Sequence, residues 1–306
     1  MEFHLNKICL IAFAFCALLD RIFNVVIITV LFYDFSYTLV TVQVYFVALI
    51  AELFQLKLRN DESEMQIFDG SKNRHLIFSA VAFLISRYVE MHAMEDSHLS
   101  TVFDGYLDLI SYFIFRIFIS NDNVMKRKLL YLFAIIIVTV IFVIFIDSAA
   151  VAYFFVPSFL LRSLATVSFC STLHWLPKDV CNLISVRCGV VCKICIYTLL
   201  CSCIFDLYFF EHFRALFSFF LFQHGTVFTV MFTLSITFGT IYTAAFISIA
   251  ADRPAMVLIM NYAAKLVVSI SESIFFGLHN ETKISSLLLI GWLFQVAVTY
   301  RGHAVM

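Results

Sequence analysis

The sequence predicts an all-α polytopic membrane protein with ten transmembrane helices, arranged as two halves of five helices each. Hydrophobic residues make up 62% of the 306 residues, and the mean hydropathy is +0.97, well above that of soluble globular proteins. Apolar stretches of spanning length follow one another from Cys9 to Tyr300, and each span needs about 20 mostly apolar residues. The Lys and Arg residues are also sorted between alternate connections, which supports both the number of spans and their orientation.

The apolar stretches divide the chain into two halves, residues 1–147 and 148–306, which together form one transmembrane domain. The expected spans cover residues 8–33, 37–57, 75–95, 98–119, 128–147, 149–174, 185–206, 224–250, 254–277 and 284–300. A division into five plus five spans fits the internal duplication that is common among transporters.

The termini and the even-numbered connections carry most of the basic residues. These are Lys7, Lys57, Arg59, Lys72, Arg74, Lys126, Arg127, Lys128, Lys178, Arg187, Arg253 and Arg301. The odd-numbered connections carry only Arg214 and Lys283, and the other basic residues lie inside spans. Because cytoplasmic connections are enriched in Lys and Arg, we expect both termini to be cytoplasmic.

Three segments need individual interpretation. The first span is too long, and at Asp20 too charged, for a cleaved signal peptide, so we expect an uncleaved signal-anchor. Residues 207–222 are apolar but carry Glu211 and Arg214, which favours an interfacial amphipathic helix. The alternative, an eleventh span, would invert the later part of the chain and spoil the charge sorting. Pro254 suits the first turn of span nine.

Several function classes are disfavoured by composition. The net charge of −1 gives no basic surface for nucleic acid, and the longest polar stretch, residues 57–75, is too short for a soluble domain. Cys188, Cys192 and Cys195 share a helix face without a paired CxxC or a histidine at ligand spacing, so we interpret them as packing residues rather than metal ligands. With no ATP-binding motif either, we expect no cofactor, no metal and no enzymatic activity.

Ionisable residues inside the expected spans are the main candidates for function, because charges at bilayer depth are costly and usually face a cavity or a partner. They are Asp20, Arg21, Arg87, Glu90, Asp104, Asp108, Arg116, Arg162, Lys193, Lys265 and Glu272. The simpler interpretation is that they pair with one another or extend to the interfaces. For Arg87, Glu90, Asp20 and Glu272 we expect structural or gating ion pairs, since Arg87 and Glu90 are three residues apart on one helix.

Lys193 and Lys265 are the residues most suggestive of substrate binding. Both lie in mid-span without an acidic residue one turn away on the same helix, and Glu272 is two turns from Lys265. An ammonium group facing a central cavity is well suited to a phosphate that must bind and then leave. Asn261 and Tyr262 lie one turn before Lys265 and are expected to bind or stack on a nucleobase or a sugar.

A retinal protein is an alternative, because Lys265 and Glu90 could supply a Schiff-base lysine and its counter-ion. The predicted span count argues against it, since such proteins have seven spans and about five spans separate Glu90 from Lys265. The glycosylation sequon at Asn280 lies in a short connection on the predicted far side, where the membrane would hinder modification.

The last fifty residues resemble the end of a drug/metabolite-superfamily transporter, particularly a nucleotide-sugar or triose-phosphate-type carrier. In the stretch DRPAMVLIMNYAAKLVVSISESIFFG, a proline opens the span, a lysine lies near its middle and an aromatic-glycine exit follows. GDP-mannose carriers close a Gly-Ala-Leu-Asn-Lys motif with this lysine, and here the last residue of the corresponding segment is Lys265. The family's aromatic-Tyr-Asn-Asn motif in span seven is absent, which leaves the nucleotide specificity open.

The resemblance implies a carrier in the Golgi or endoplasmic reticulum membrane that exchanges a nucleotide sugar, or a related phosphorylated anion, for a nucleoside monophosphate. It implies alternating access, an anionic small-molecule substrate, the lipid bilayer as environment and, as one option, a homodimer. The alternative is a membrane scaffold or chaperone subunit that has a transporter-like fold and does not transport. A carrier needs a polar cavity around Lys193 or Lys265, whereas a scaffold would pair these lysines and fill the cavity with phenylalanine.

Overall fold

The described part of the chain is built from helices. The structure is a computed structural model, and it describes residues 2–31, 36–58, 70–96, 108–119, 149–174, 184–209, 225–252 and 254–275, with four isolated residues at 130, 133, 134 and 137. Within these ranges every regular element is a helix. The all-α class is therefore confirmed.

The helices are numbered here in chain order. They are α1 (Glu2–Val25), α2 (Ser36–Leu58), α3 (Gly70–Asp96), α4 (residues 108–119), α5 (Ala149–His174), α6 (Ile184–Phe209), α7 (Thr226–Asp252) and α8 (Pro254–Phe275). A π-helical turn, Val26–Val30, continues α1, and α4 ends in another, Phe115–Ile119. The boundary between α7 and α8 fits a proline in the first turn of α8, where its missing N–H costs nothing.

These helices overlap eight of the ten predicted spans, with ends that differ mostly by a few residues. The fifth span, apart from the isolated residues, and the whole tenth span lie outside the described residues. Residues 207–209 complete α6, and the rest of the segment expected to lie at the interface is outside the described residues, as is the sequon at Asn280. The count of ten spans remains a prediction.

Three helices are long and apolar enough to cross a membrane, within Tyr37–Lys57, Arg187–Ile204 and Thr226–Ala251. A shorter apolar stretch, Ala255–Val267, lies in α8. On α2, one face is buried through Val40, Val44 and Val47, while large apolar side chains such as Leu49 and Leu53 are exposed. Apolar side chains on the outside and charged ones within, as at Asp20, indicate a membrane protein rather than a water-soluble bundle.

The helices pack across the predicted division of the chain. The largest interfaces join α3 to α5, α2 to α6 and α1 to α7. Pairs of small hydroxyl side chains connect α3 and α5, with Ser79 2.6 Å from Thr172 and Ser86 2.6 Å from Thr166. Small polar residues at helix contacts permit close approach and supply hydrogen bonds in a medium without water. This packing holds α1, α3, α5 and α8 around a common centre.

Candidate functional site: a buried charge cluster

Seven charged side chains from five helices meet inside the described part of the bundle. We call them the buried charge cluster, and its members are Asp20 and Arg21 on α1, Arg87 and Glu90 on α3, Asp108 on α4, Arg162 on α5 and Lys265 on α8. None of these side chains is more than 5% exposed. The cluster contains four cations and three carboxylates, so the described residues leave it with one excess positive charge.

Arg87 joins two of the carboxylates. Its Nη1 atom lies 2.8 Å from Oε2 of Glu90 on the same helix, and its Nη2 atom lies 3.0 Å from Oδ2 of Asp20 on α1. The guanidinium carbon also stands 4.8 Å from the centre of the Tyr242 ring, a cation–π contact. Arg87 thus links α1, α3 and α7 through one side chain.

Lys265 and Arg162 share the other carboxylates. The Lys265 Nζ atom lies 2.6 Å from Oδ2 of Asp108 and 2.9 Å from Oε1 of Glu90. The Arg162 Nη2 atom lies 3.0 Å from Oδ1 of Asp108 and 3.5 Å from Oε1 of Glu90. Arg21 reaches the same Glu90 oxygen at 3.5 Å. Charged groups from α1, α3, α4, α5 and α8 are therefore continuous.

Neutral side chains satisfy the α1 end of the cluster. Asn24 donates a hydrogen bond of 2.8 Å to Asp20, and Gln43 donates one of 3.2 Å to the same oxygen. Ser235 donates to Asn24 at 2.6 Å, and the Ser235 carbonyl accepts from Gln43 at 3.3 Å. A carboxylate buried in a bundle needs such donors, because no water replaces its lost hydration.

Gly239 permits α7 to approach this end closely. A β-carbon at position 239 would overlap the side-chain amide of Gln43 and stand 2.7 Å from Oδ1 of Asp20. Any larger residue would have to displace Gln43, which bonds Asp20, Ser235 and Arg87. The absence of a side chain at Gly239 is therefore part of how the cluster is assembled.

An aromatic wall and a small cavity border the cluster. The rings of Phe83, Phe169 and Phe246 pack with centroid separations of 5.5–6.0 Å. Between them and the side chains of Arg87 and Glu90, the space open to the centre of a water molecule is about 10 Å³. That volume suits roughly one water molecule. This conformation therefore has no room for a nucleotide sugar.

Two of the four predicted substrate residues lie at this centre. Lys265 has two carboxylate partners, Glu90 and Asp108, contributed by other helices, so its ammonium group is engaged here with acids. Asn261 donates to Asp108 at 3.0 Å and accepts from the Tyr242 hydroxyl at 2.8 Å. Tyr262 is fully buried in the apolar core and does not line the cavity.

The structure does not bring Lys193 to the cluster. Its side chain on α6 is half-buried beside Cys192, which lies 3.1 Å from Glu52 of α2. Of the predicted ion-pair residues, Arg87, Glu90 and Asp20 meet in the cluster, while the side chain of Glu272 lies outside the described residues. Across the described residues, no group of three or more His, Cys, Asp or Glu side chains is arranged to hold a metal ion.

The sequence argument against a retinal site relied on the separation of Glu90 from Lys265, and that argument is wrong in space. The two charged groups lie 2.9 Å apart because α8 packs against the helices that surround α3. A cavity of about 10 Å³ nevertheless has no room for a retinal chain in this conformation. The size of the cavity, rather than distance along the chain, disfavours that alternative.

Several cluster residues were not among the predicted site residues. Arg21, Asp108 and Arg162 were visible as charges within spans, and a search for complementary charges on other helices could have selected them. Tyr242, Asn24 and Ser235 carry no comparable sequence signal, because Tyr, Asn and Ser also occur in ordinary transmembrane helices. Only the packing of α7 against α1 places them at the site.

No protein-family model matches this sequence, and no curated protein sequence matches it significantly.

Proposed function

We propose that this protein is a membrane carrier for a phosphorylated anion, and that the buried charge cluster is its substrate-binding and gating centre. In the full proposal, ten spans form two five-helix halves, and the carrier exchanges a nucleotide sugar for a nucleoside monophosphate by alternating access. The proposed location is the Golgi or endoplasmic reticulum membrane, with both termini cytoplasmic and a homodimer as one option. The single observation that carries the proposal is the convergence of four buried cations with three carboxylates.

The first support is energetic. Removing an ion from water costs several kcal/mol even after relaxation, and replacing a buried ion network by apolar residues is often neutral or stabilising. A bundle that needed only to hold its helices together would gain nothing from seven buried charges. Ionisable groups at membrane depth commonly mark a substrate or ion pathway. The cluster therefore favours a transport role over a purely structural one.

The second support is the sign of the charge. Among the described residues the cluster has one more cation than carboxylates, counting Arg21, Arg87, Arg162 and Lys265 against Asp20, Glu90 and Asp108. Three of the cations are arginines, whose planar guanidinium groups match the oxygens of a phosphate. An anion that entered this centre would compensate the excess charge.

The third support is the pattern of helix pairing. α1 packs on α7 as α5 packs on α3, and α2 packs on α7 as α6 packs on α3. α1 also packs on α8, as α5 packs on the π-helical turn that ends α4. These pairs exchange when α1–α4 are swapped in order for α5–α8. Such an exchange is expected of a carrier whose two halves repeat one architecture and rock about a central site.

One observation favours the alternative, a scaffold or chaperone subunit without transport. Lys265 is paired with acids, and Phe83, Phe169 and Phe246 occupy the space next to the cluster. This is the arrangement that the scaffold interpretation predicts. A carrier that closes around an empty centre between two open states would have the same arrangement, so transport measurements must separate the two functions.

The test is counterflow in proteoliposomes. Purified protein is reconstituted with internal GMP, and uptake of labelled GDP-mannose is followed; a panel of other nucleotide sugars, sugar phosphates and inorganic phosphate covers the open specificity. We expect uptake of at least one labelled anion that depends on an internal anion. We expect Lys265→Met to reduce that uptake at least tenfold, whereas Lys193→Met, a lysine outside the cluster, retains most of it.

The outcomes separate the candidates. Equal losses in Lys193→Met and Lys265→Met would restore Lys193 as a substrate residue and weaken the cluster as the binding centre. Absence of counterflow with every anion, together with no thermal stabilisation by any of them, would reject the carrier. Co-purification of a stoichiometric membrane protein partner would then support the scaffold.

A further inference from the structure

Glu90 is the hub of the buried charge cluster. Its Oε1 atom lies 2.9 Å from Lys265 Nζ and 3.5 Å from both Arg21 Nη1 and Arg162 Nη2, while its Oε2 atom lies 2.8 Å from Arg87 Nη1. The four cations come from α8, α1, α5 and α3. One carboxylate is thus surrounded by four positive side chains on four helices, which is the environment expected for a bound anion.

The other two carboxylates are held differently. Asp20 has Arg87 as its cation and takes further hydrogen bonds from the neutral amides of Asn24 and Gln43. Asp108 pairs with Lys265 and Arg162 and accepts a hydrogen bond from the Asn261 amide. Neutral amides from neighbouring helices therefore hold Asp20 and Asp108 in place, whereas the hydrogen bonds described for Glu90 come from guanidinium groups.

We propose that Glu90 occupies the position of the substrate's phosphate group and acts as a tethered internal anion that closes the site. This inference rests on the proposed function, since it names the ligand chemistry and the regulation of the same centre. An incoming phosphate group would take over the guanidinium and ammonium donors as the Glu90 carboxylate leaves. No covalent bond forms or breaks in this exchange.

The cavity beside Glu90 supports displacement rather than simple addition. About 10 Å³ is open to the centre of a water molecule, and this space is bordered by Arg87, Glu90, Arg162 and Asn261. A phosphate group is several times larger than a water molecule and carries at least one negative charge. It could not stand beside the Glu90 carboxylate without both crowding and like-charge repulsion, so the carboxylate must move first.

Displacement of Glu90 would also change how the helices are held. In the closed arrangement its ion pairs tie α3 to α1, α5 and α8, so they connect the two proposed halves. A phosphate bound to the same cations would replace these ties without being attached to α3. Binding and release of the constraint on α3 would then be one event, as a gated carrier requires.

The inference is tested with two variants that remove the same charge. Glu90→Gln and Asp20→Asn each take one negative charge from the buried charge cluster and preserve the size of the side chain. Affinity for inorganic phosphate is measured by isothermal titration on purified protein in detergent. We expect Glu90→Gln to bind phosphate at least tenfold more tightly than the natural protein, because the competitor is gone, and Asp20→Asn to change affinity less than threefold.

A rise of similar size in both variants would overturn the inference, because net charge alone would then account for it. Unchanged or weaker binding by Glu90→Gln would overturn it as well. Glu90→Asp serves if the Gln variant does not fold: it keeps the charge but withdraws the carboxylate by one methylene from all four cations. We expect it to bind phosphate more tightly than the natural protein, and equal affinity would count against Glu90 as the competitor.

The same measurements distinguish this inference from the proposed function. If the natural protein catalyses anion counterflow but Glu90→Gln binds phosphate no more tightly, the carrier stands and the role of Glu90 is rejected. If the natural protein and all three variants neither bind phosphate nor transport any anion of the panel, both proposals are rejected.

Discussion

Replacing Lys265 with methionine removes the ammonium group from the centre of the bundle and keeps a side chain of similar length. From its helix alone, Lys265 would tolerate this change, because the nearest acid on α8 is two turns away. In the tertiary structure it has two partners, Asp108 at 2.6 Å and Glu90 at 2.9 Å. Its removal therefore leaves two buried carboxylates with less compensation, and we expect Lys265→Met to destabilise the fold.

The magnitude follows from what remains. Breaking a buried ion pair by removing one partner typically costs about 3–5 kcal/mol. Glu90 keeps three arginines, and Asp108 keeps Arg162 and the Asn261 amide, so neither carboxylate is left alone. We therefore expect the lower end, about 3 kcal/mol in the free energy of unfolding.

A double-mutant cycle with Asp108 measures the pairing itself. Lys265→Met with Asp108→Asn removes one charge of each sign, so we expect the double variant to be more stable than the sum of the two single changes predicts, by about 1–3 kcal/mol. Unfolding is followed by circular dichroism in mixed micelles with increasing denaturing detergent.

Lys193→Met is the control, because it removes a lysine from a helix of the same bundle but outside the cluster; we expect a change below about 1 kcal/mol. Two results would refute the reasoning. One is a Lys265→Met variant as stable as the natural protein, and the other is strict additivity in the cycle.

Three further predictions concern the packing and the topology. Gly239→Ala is expected to lower the free energy of unfolding by about 1–3 kcal/mol, because the added carbon overlaps Gln43; Gly225→Ala, where a β-carbon meets nothing within 4 Å, is the matched control, and equal effects would contradict the close approach. Ser86→Ala removes the 2.6 Å bond to Thr166 and is expected to cost only about 0.6 kcal/mol, the average for such bonds between membrane helices, because Thr166 also donates to the Arg162 carbonyl; a loss above about 2 kcal/mol in the same unfolding assay would show that this estimate is wrong. Epitope tags at both termini are expected to be accessible from the cytoplasm in selectively permeabilised cells, and a tag that is detected only after the lumenal side is opened would reject the ten-span topology.

Much of the helical layout follows from the sequence. Hydropathy located α2, α5 and α6 to within about three residues of their observed ends, because a span of about 20 apolar residues has few alternatives in a membrane. The Pro254 start of α8 was also predicted correctly, since proline fixes the backbone for a first turn. Helix α3 begins five residues earlier than predicted, at Gly70, because its polar first turns give no hydropathy signal.

The candidate site was only partly predictable. The short spacing of Arg87 and Glu90 indicated a pair on one helix, and the structure places their charged atoms 2.8 Å apart. Lys265 was selected as a buried cation, but its partners Glu90 and Asp108 lie 175 and 157 residues away in the chain. Lys193 carried the same sequence signal as Lys265 and lies outside the cluster, since both occur in mid-span and helix rotation decides which one faces the centre.

The sequence by itself determined where the chain becomes helical and that it belongs in a membrane, because both depend on local composition and on the free energy of burying apolar side chains in lipid. It also determined which charges would lie at membrane depth. Only the tertiary structure decided how those charges combine. Glu90 becomes a hub because α1, α5 and α8 present Arg21, Arg162 and Lys265 to one point, and Gly239 lets α7 close the opposite end. Coulombic and steric interactions act through space, and they depend on helix rotation and pairing that no single stretch of sequence encodes.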